Sequence, residues 1–347
     1  MKKLFIPLLL LASTFIACET EVDVNADYQD ITTVFAILDR NDATHYFKIN
    51  KAFLGAGNAF GFAMEPDSLY YSPERINAKL YAKNINGDTV KTIPLTRIDT
   101  VEKEPGTFAY PNQFFYVTNE PLNKAYSYHL EIEKVDEGEF VTAETPIVGN
   151  VNVRFPGQTK KINPAANSNK VRFDLDARTR TYQLGIRFNY SDEDTVNNFE
   201  VMRSVEYILP SRSKAIGESE EIELEYNGAG FLSYIGSRIP TPSSNIIRHA
   251  KSVDYKFYLA SSDFQTYLDL NGPSDGIVQE RPEFSNIENG IGLFASRNIA
   301  VGVGGLDFID SFRDSLLCSD MTSDLMFTKY VVNAAINGID TITRCDQ

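Results

Sequence analysis

Short segments of strict apolar–polar alternation, divided by turn clusters, limit most tightly what this chain can fold into. Ile31-Thr32-Thr33-Val34-Phe35-Ala36-Ile37-Leu38 ends at Asp39-Arg40-Asn41-Asp42, and His45-Tyr46-Phe47-Lys48-Ile49-Asn50 alternates again beyond it. Ala78–Ala82 and Thr89–Ile93 flank Asn86-Gly87-Asp88, and Asn-Gly between such runs is a strong hairpin signal because both residues tolerate positive φ. Phe114–Val117, Tyr126–Ile132, Val171–Leu175, Gln183–Phe188, Glu221–Tyr226 and Val253–Leu259 continue the pattern. A period of two is the signature of strands with one face buried. Strands this short and this closely spaced predict a mainly β fold, with an immunoglobulin- or fibronectin-like β-sandwich over 31–146. A second β-rich domain is expected over 147–347, because Pro146, Pro156, Gly157 and Pro164 interrupt regular structure between the two. One short helix is expected there: Ser262-Asp263 as a cap, Phe264, Tyr267 and Leu268 at helical spacing, and Asn271-Gly272 as a stop.

The N-terminus carries an address. Lys2 and Lys3 precede the apolar run Leu4–Ala12, and Phe15-Ile16-Ala17 leads into Cys18. A small residue before a cysteine at the end of such a run reads as a lipoprotein signal, with 1–17 removed and Cys18 lipidated. An ordinary signal peptide cut near Ala17 is the alternative, since Phe15 stands where the usual pattern has a branched aliphatic residue. The run is shorter than the roughly 20 residues a spanning helix needs. Residues 18–30 are acidic and aperiodic, as expected of a tether.

Charge excludes some partners. The formal net charge is −14 and becomes −16 without Lys2 and Lys3, so nucleic acid is not expected as a partner. With Cys18 lipidated, Cys318 and Cys345 remain as a pair, and in an oxidising compartment a disulfide between them is expected, two free thiols being the alternative.

The sequence offers little for catalysis. His45, His129 and His249 are isolated, with no His or Cys at ligand spacing. There is no G-x-S-x-G elbow. Gly55-Ala56-Gly57 and Gly302-Val303-Gly304-Gly305 read as turns or strand kinks. Asp192-Glu193-Asp194 reads as a solvated loop, lacking the ordered spacing of a calcium loop. Tyr70-Tyr71 reads as a pair packed on its own domain. No catalytic, cofactor or metal residues are assigned. A carboxylate pair of the glycosidase kind leaves no sequence signature, because it is defined by separation in space.

Three stretches carry a resemblance. Cys18-Glu19-Thr20-Glu21-Val22-Asp23, the strand and helix from Tyr255 to Gly272, and above all Phe284-Ser285-Asn286-Ile287-Glu288-Asn289-Gly290-Ile291-Gly292-Leu293-Phe294-Ala295 resemble outer-membrane lipoproteins of Bacteroidota-type bacteria that share a domain of unknown function with an SNIENGLGIFA signature. The resemblance implies an outer-membrane lipoprotein found beside TonB-dependent transporters, and no activity. Acidic residues after Cys18 resemble surface-export signals, so the cell surface is favoured over the periplasmic face. Asn286, Glu288, Asn289, Gly290 and Gly292 are singled out as a turn entering a buried strand, with a binding loop as the other reading. The expectation is a non-enzymatic accessory or binding lipoprotein working with such a transporter. The alternatives are a glycan- or nutrient-binding lipoprotein and a carboxylate-dependent hydrolase.

Overall fold

The computed structural model describes residues 30–53, 59–217, 220–272 and 284–328. In chain order these hold β1 (Asp30–Asp39), β2 (His45–Phe53), α1 (Ala59–Met64), α2 (Pro66–Leu69), β3 (Ile76–Lys83), β4 (Thr89–Pro94), β5 (Thr96–Glu102), β6 (Asn112–Thr118), β7 (Ser127–Lys134), β8 (Glu139–Pro146), β9 (Asn152–Phe155), β10 (Asn169–Leu175), β11 (Thr181–Asp194), β12 (Phe199–Ile208), β13 (Arg212–Ser213), β14 (Glu220–Tyr226), α3 (Gly228–Arg238), β15 (Ile246–Ala260), α4 (Ser262–Asn271), β16 (Gly290–Leu306), α5 (Asp310–Cys318) and β17 (Phe327–Thr328). The fold is mainly β. Among the described residues no helix is long and apolar enough to cross a membrane.

One ten-stranded sheet runs through the molecule in the order β12-β11-β15-β16-β1-β2-β6-β5, with β13 and β17 beside the path. Its two halves come from opposite ends of the sequence. They join where β1 lies parallel to β16, Phe35 beside Leu293 and Ala36 beside Phe294. A parallel pair needs a long connection, and here most of the chain provides it.

Alternation decides what each face does. Val34, Ala36, Leu38, Phe47 and Ile49 point inward and meet Ile76, Leu80, Leu130 and Val141 of the four-stranded sheet β4-β3-β7-β8. At the other end Leu184, Ile186, Phe188, Tyr255 and Phe257 meet Val171, Phe173 and Leu224 of β14-β10-β9, with Phe231 of α3 and Phe312 of α5. The two cores change over between Ile147 and Val148, yet Ile287 and Phe294, far along the chain, belong to the first core. The N-terminal sandwich is therefore completed by a C-terminal strand.

Two helices not expected from the sequence, α3 and α5, pack into the second core, whereas α4, the one expected, contributes no buried residue. The chain folds α3 from Gly228-Ala229-Gly230 onward because Phe231, Leu232 and Ile235 are buried on one side. Asn227 Oδ1 accepts hydrogen bonds from the backbone N–H groups of Ala229 and Gly230, satisfying donors that a helix start leaves open. In α5, Phe312 and Leu316 are the buried pair.

Candidate functional site

The inner face of the long sheet is covered at both ends, and the outer face is not. In its N-terminal half the outward residues are Phe35 and Ile37 of β1, Tyr46 and Lys48 of β2 and Phe115 of β6. Register places Phe35 opposite Lys48. Phe35, Ile37, Tyr46 and Ile291 are 46%, 37%, 48% and 40% exposed, apolar side chains on the adjacent strands β16, β1 and β2. Tyr46 packs edge-on against Phe115 at 5.8 Å between centroids, and Lys48 Nζ lies 5.7 Å from the Phe115 ring. Burial lowers the Lys48 pKa, with Lys103 adding a smaller push.

α4 packs over β16 on this same face. Its Tyr267 stands edge-on to Phe35 at 6.4 Å. No residue of α4 is itself buried, but Leu293 and Ala295 of β16 on this face are, while Phe35, Ile37 and Tyr46 stay exposed. Beyond it the C-terminal half of the face carries Gln183 opposite Tyr258, Tyr258 opposite Ile299, and Ala260 opposite Arg297. A cavity of about 350 Å³ lies between these residues and Phe264, Gln265, Leu268 and Asp269 of α4.

Its polar groups are fixed by neighbours. Tyr258 donates to Glu206 Oε1 at 2.7 Å, and Lys256 Nζ reaches the other carboxylate oxygen at 3.4 Å. Burial raises the Tyr258 pKa; the Lys256 contact lowers it and the Glu206 bond raises it by smaller amounts. Gln183 donates to the carbonyl of Leu209 at 2.9 Å. The buried Nε of Arg297 faces Asp39 Oδ2 at 3.7 Å, an ion pair too long to be a hydrogen bond. Burial raises the Asp39 carboxyl above its ordinary range, against bonds from the backbone of Asn41 and Ile299 and the charge of Arg297.

A second cavity, of about 470 Å³, lies by β9 and β10 and is lined by Arg154, Asp174, Asp176, Glu220 and Glu221. Its central groups are committed to one another. Arg154 and Asn152 both bond Asp174, at 2.8 and 2.9 Å, and Asp176 Oδ1 accepts from the backbone of Arg178 and Thr179.

The residues singled out by the signature come together as a structural turn. Asn286 Nδ2 donates to the Phe294 carbonyl at 2.7 Å, and Asn286 Oδ1 accepts from the Phe294 N–H at 2.9 Å. Glu288 bridges to Thr142 through backbone and side chain, and Asn289 donates to the Phe140 carbonyl. Asn289 is left-handed, with φ of 56°. Gly290 opens β16, and a Cβ there would sit 2.8 Å from the Thr32 carbonyl oxygen. At Gly292, with φ of 133°, it would sit 1.9 Å from that of Val34. The turn thus ties β8 to the β1–β16 junction.

Asp192-Glu193-Asp194 is corrected from a loop to the end of β11. Asp192 is bonded by the buried Arg248 at 2.8 Å and by Arg203, and Glu193 by His249 at 2.6 Å. The ladder to β12 and β15 extends the strand through all three residues, which their charge alone did not suggest. His45 is buried in β2, and His129 in β7 lies 3.7 Å from Glu144. Tyr70 and Tyr71 are buried. Among the described residues no group of three or more His, Cys, Asp or Glu is placed to hold a metal ion. Cys318, the last residue of α5, is disulfide-bonded. Cys18 and Cys345 lie outside the described residues.

Sequence reading did not find Gln183, Tyr258, Phe264 or Arg297 as a group. They come from separate elements, and the signals present were the outward phase of Gln183, Tyr258 and Arg297 in their strands and the apolar spacing of Phe264 in its helix.

No protein-family model matches the chain, and no curated protein does. Among solved structures it is similar to the C-terminal globular domain of an oligosaccharyltransferase from Pyrococcus abyssi, at 14% identity and a TM-score of 0.25 over 66% of this chain. The match spans 46% of that chain, and a likeness this slight carries no argument about fold or activity.

Proposed function

We propose that this protein is a non-enzymatic outer-membrane lipoprotein, held at the cell surface by lipid on Cys18, that works by contact with a TonB-dependent barrel transporter. The observation that carries the reading is the open outer face around Phe35, Ile37, Tyr46 and Ile291. Several large apolar side chains exposed on adjacent strands suit an interaction site, because leaving them in water is costly. The face is carried on hydrogen-bonded strands and not on loops, so docking would order little backbone. The acidic residues 19–30 give the face reach from the membrane, and a Cys318–Cys345 disulfide closes the C-terminus in an oxidising compartment.

The test is purification of the tagged full chain from its own membranes in mild detergent. A barrel protein in stoichiometric amount supports the reading. Its loss in Phe35→Ser/Tyr46→Ser, with circular dichroism and membrane association unchanged, assigns it to this face. A wild-type protein that purifies alone, or a double variant that keeps its barrel partner, overturns it. Cys18→Ala is expected to move the protein to the soluble fraction, and a variant that stays membrane-bound removes the lipid anchor from the reading.

A further inference from the structure

We infer that the cavity between α4 and the C-terminal half of the outer face is a binding site for a small neutral saccharide. It stands beside the proposed docking face and does not depend on it.

Size comes first. About 350 Å³ is near the small end of ligand pockets, which run from roughly 300 to 1,000 Å³. The wall chemistry then selects the ligand. Tyr258, with Lys256 Nζ over its ring at 4.9 Å, lines the cavity from the sheet, and Phe264 lines it from the helix. Such surfaces suit the C–H faces of a sugar ring. Between them stand Gln183, Gln265, Asp269 and Arg297, which together offer both donors and acceptors. Arg297 is already paired with Asp39, so Asp269 leaves the wall slightly acidic, which disfavours an anion, and the hydrogen-bonding side chains favour a polar ligand rich in hydroxyls.

These groups are also held in place. Gln265 Nε2 donates to Asp269 Oδ1 along the helix, which leaves the second carboxylate oxygen as an acceptor. The bond from Gln183 to Leu209 fixes that amide with its own oxygen as the remaining acceptor. Arg297 turns its buried Nε toward Asp39 at 3.7 Å, which orients the guanidinium, while the side chain as a whole is 43% exposed. The terminal N–H groups of the guanidinium remain as donors that a ligand hydroxyl in the cavity can use. Hydroxyl-bearing rings match this mixture of flat apolar walls and paired donors and acceptors better than a hydrocarbon, which would strand four polar side chains.

The test is saturation-transfer NMR on the full mature chain with maltose, cellobiose and N-acetylglucosamine, each at millimolar concentration, and phenylacetate as an anionic aromatic probe. The expected result is transfer to at least one of the three sugars and weak or no transfer to phenylacetate. Tyr258→Ala and Phe264→Ala are expected to weaken that sugar by about tenfold each, the loss of one ring contact. Asp269→Ala lies on a helix with no buried residue, so it keeps the test open should Tyr258→Ala fail to fold. No transfer to any sugar, transfer to phenylacetate alone, or sugar binding that all folded variants retain would overturn the assignment. Because none of these readouts involves the barrel partner, failure here leaves the docking reading standing, and the reverse holds.

Discussion

Glu206 and Tyr258 hydrogen-bond at 2.7 Å although a whole strand, β11, lies between theirs. The crossing is open because Gly185 sits under it. A Cβ at that position would be 2.2 Å from Glu206 Oε1. The absence of one methyl group therefore lets the carboxylate reach the rim of the cavity beside α4.

Gly185→Ala is expected to push Glu206 off Tyr258 at little cost in stability, within about 0.5 kcal/mol, because the carboxylate is the far end of a flexible side chain. Both Gly185→Ala and Glu206→Gln should lower the Tyr258 pKa, since the acceptor and its charge favour the protonated phenol. An NMR titration of ring-labelled tyrosine reads this. An unmoved Tyr258 would mean the bond does not persist in solution.

The β1–β16 junction should be the least forgiving place in the molecule. Gly292→Ala puts a Cβ against the backbone of Val34 at a φ that side chains rarely adopt, and more than about 2 kcal/mol should be lost. Asn286→Ala strands both backbone groups of Phe294 and should cost about 1–3 kcal/mol. Urea midpoints decide both, and near-wild-type midpoints would show that the two halves of the sheet do not depend on this turn.

Tyr226 and Tyr255 share a buried hydrogen bond of 3.0 Å in the second core. Burial pushes the Tyr255 phenol up to about 12 and that of Tyr226 well above its ordinary value. Either Phe substitution alone should cost about 1–2 kcal/mol, and the double substitution less than the sum, because it leaves no stranded hydroxyl. The sign in alkali follows from the raised values. The contribution is whole below the unfolded phenol pKa of about 10 and is lost as pH rises toward the folded one. The double Phe variant should lose stability less steeply above pH ~10, a difference that denaturant titrations at successive pH values would expose or refute.

Asp194 closes β11 by accepting from the backbone and side chain of Asn197 and the backbone of Val196, bonds that hold its carboxyl down to about 2. Its contribution to stability is therefore present above the unfolded pKa near ~3.9 and disappears as pH falls through the folded value. Asp194→Asn should melt lower than wild type at neutral pH, and the gap should narrow on acidification toward pH ~2. A gap that stays constant would assign the effect to shape and not to charge.

The mainly β class was legible because alternation is local. Phe35, Tyr46, Tyr81 and Tyr255 take their face from the pleat, whatever partners the strand later finds. The helix at 262–271 was legible for the same reason, and α3 was not, because Gly228 and Gly230 have poor helix propensity and its stability comes from burying Phe231, Leu232 and Ile235. The signature at 284–295 was visible as a turn entering a buried strand, but its role was not. No local rule says that Phe294 lies beside Ala36 across most of the chain, or that Gly292 must pass under the Val34 carbonyl. Tertiary structure alone also decided that Gln183, Tyr258, Phe264 and Arg297 surround one cavity, since each obeys only its own strand or helix period and the cavity exists where three strands and α4 meet. By itself the sequence determined which residues could face inward; long-range pairing, which depends on closing loops hundreds of residues long and not on neighbours, decided which outward residues share a surface.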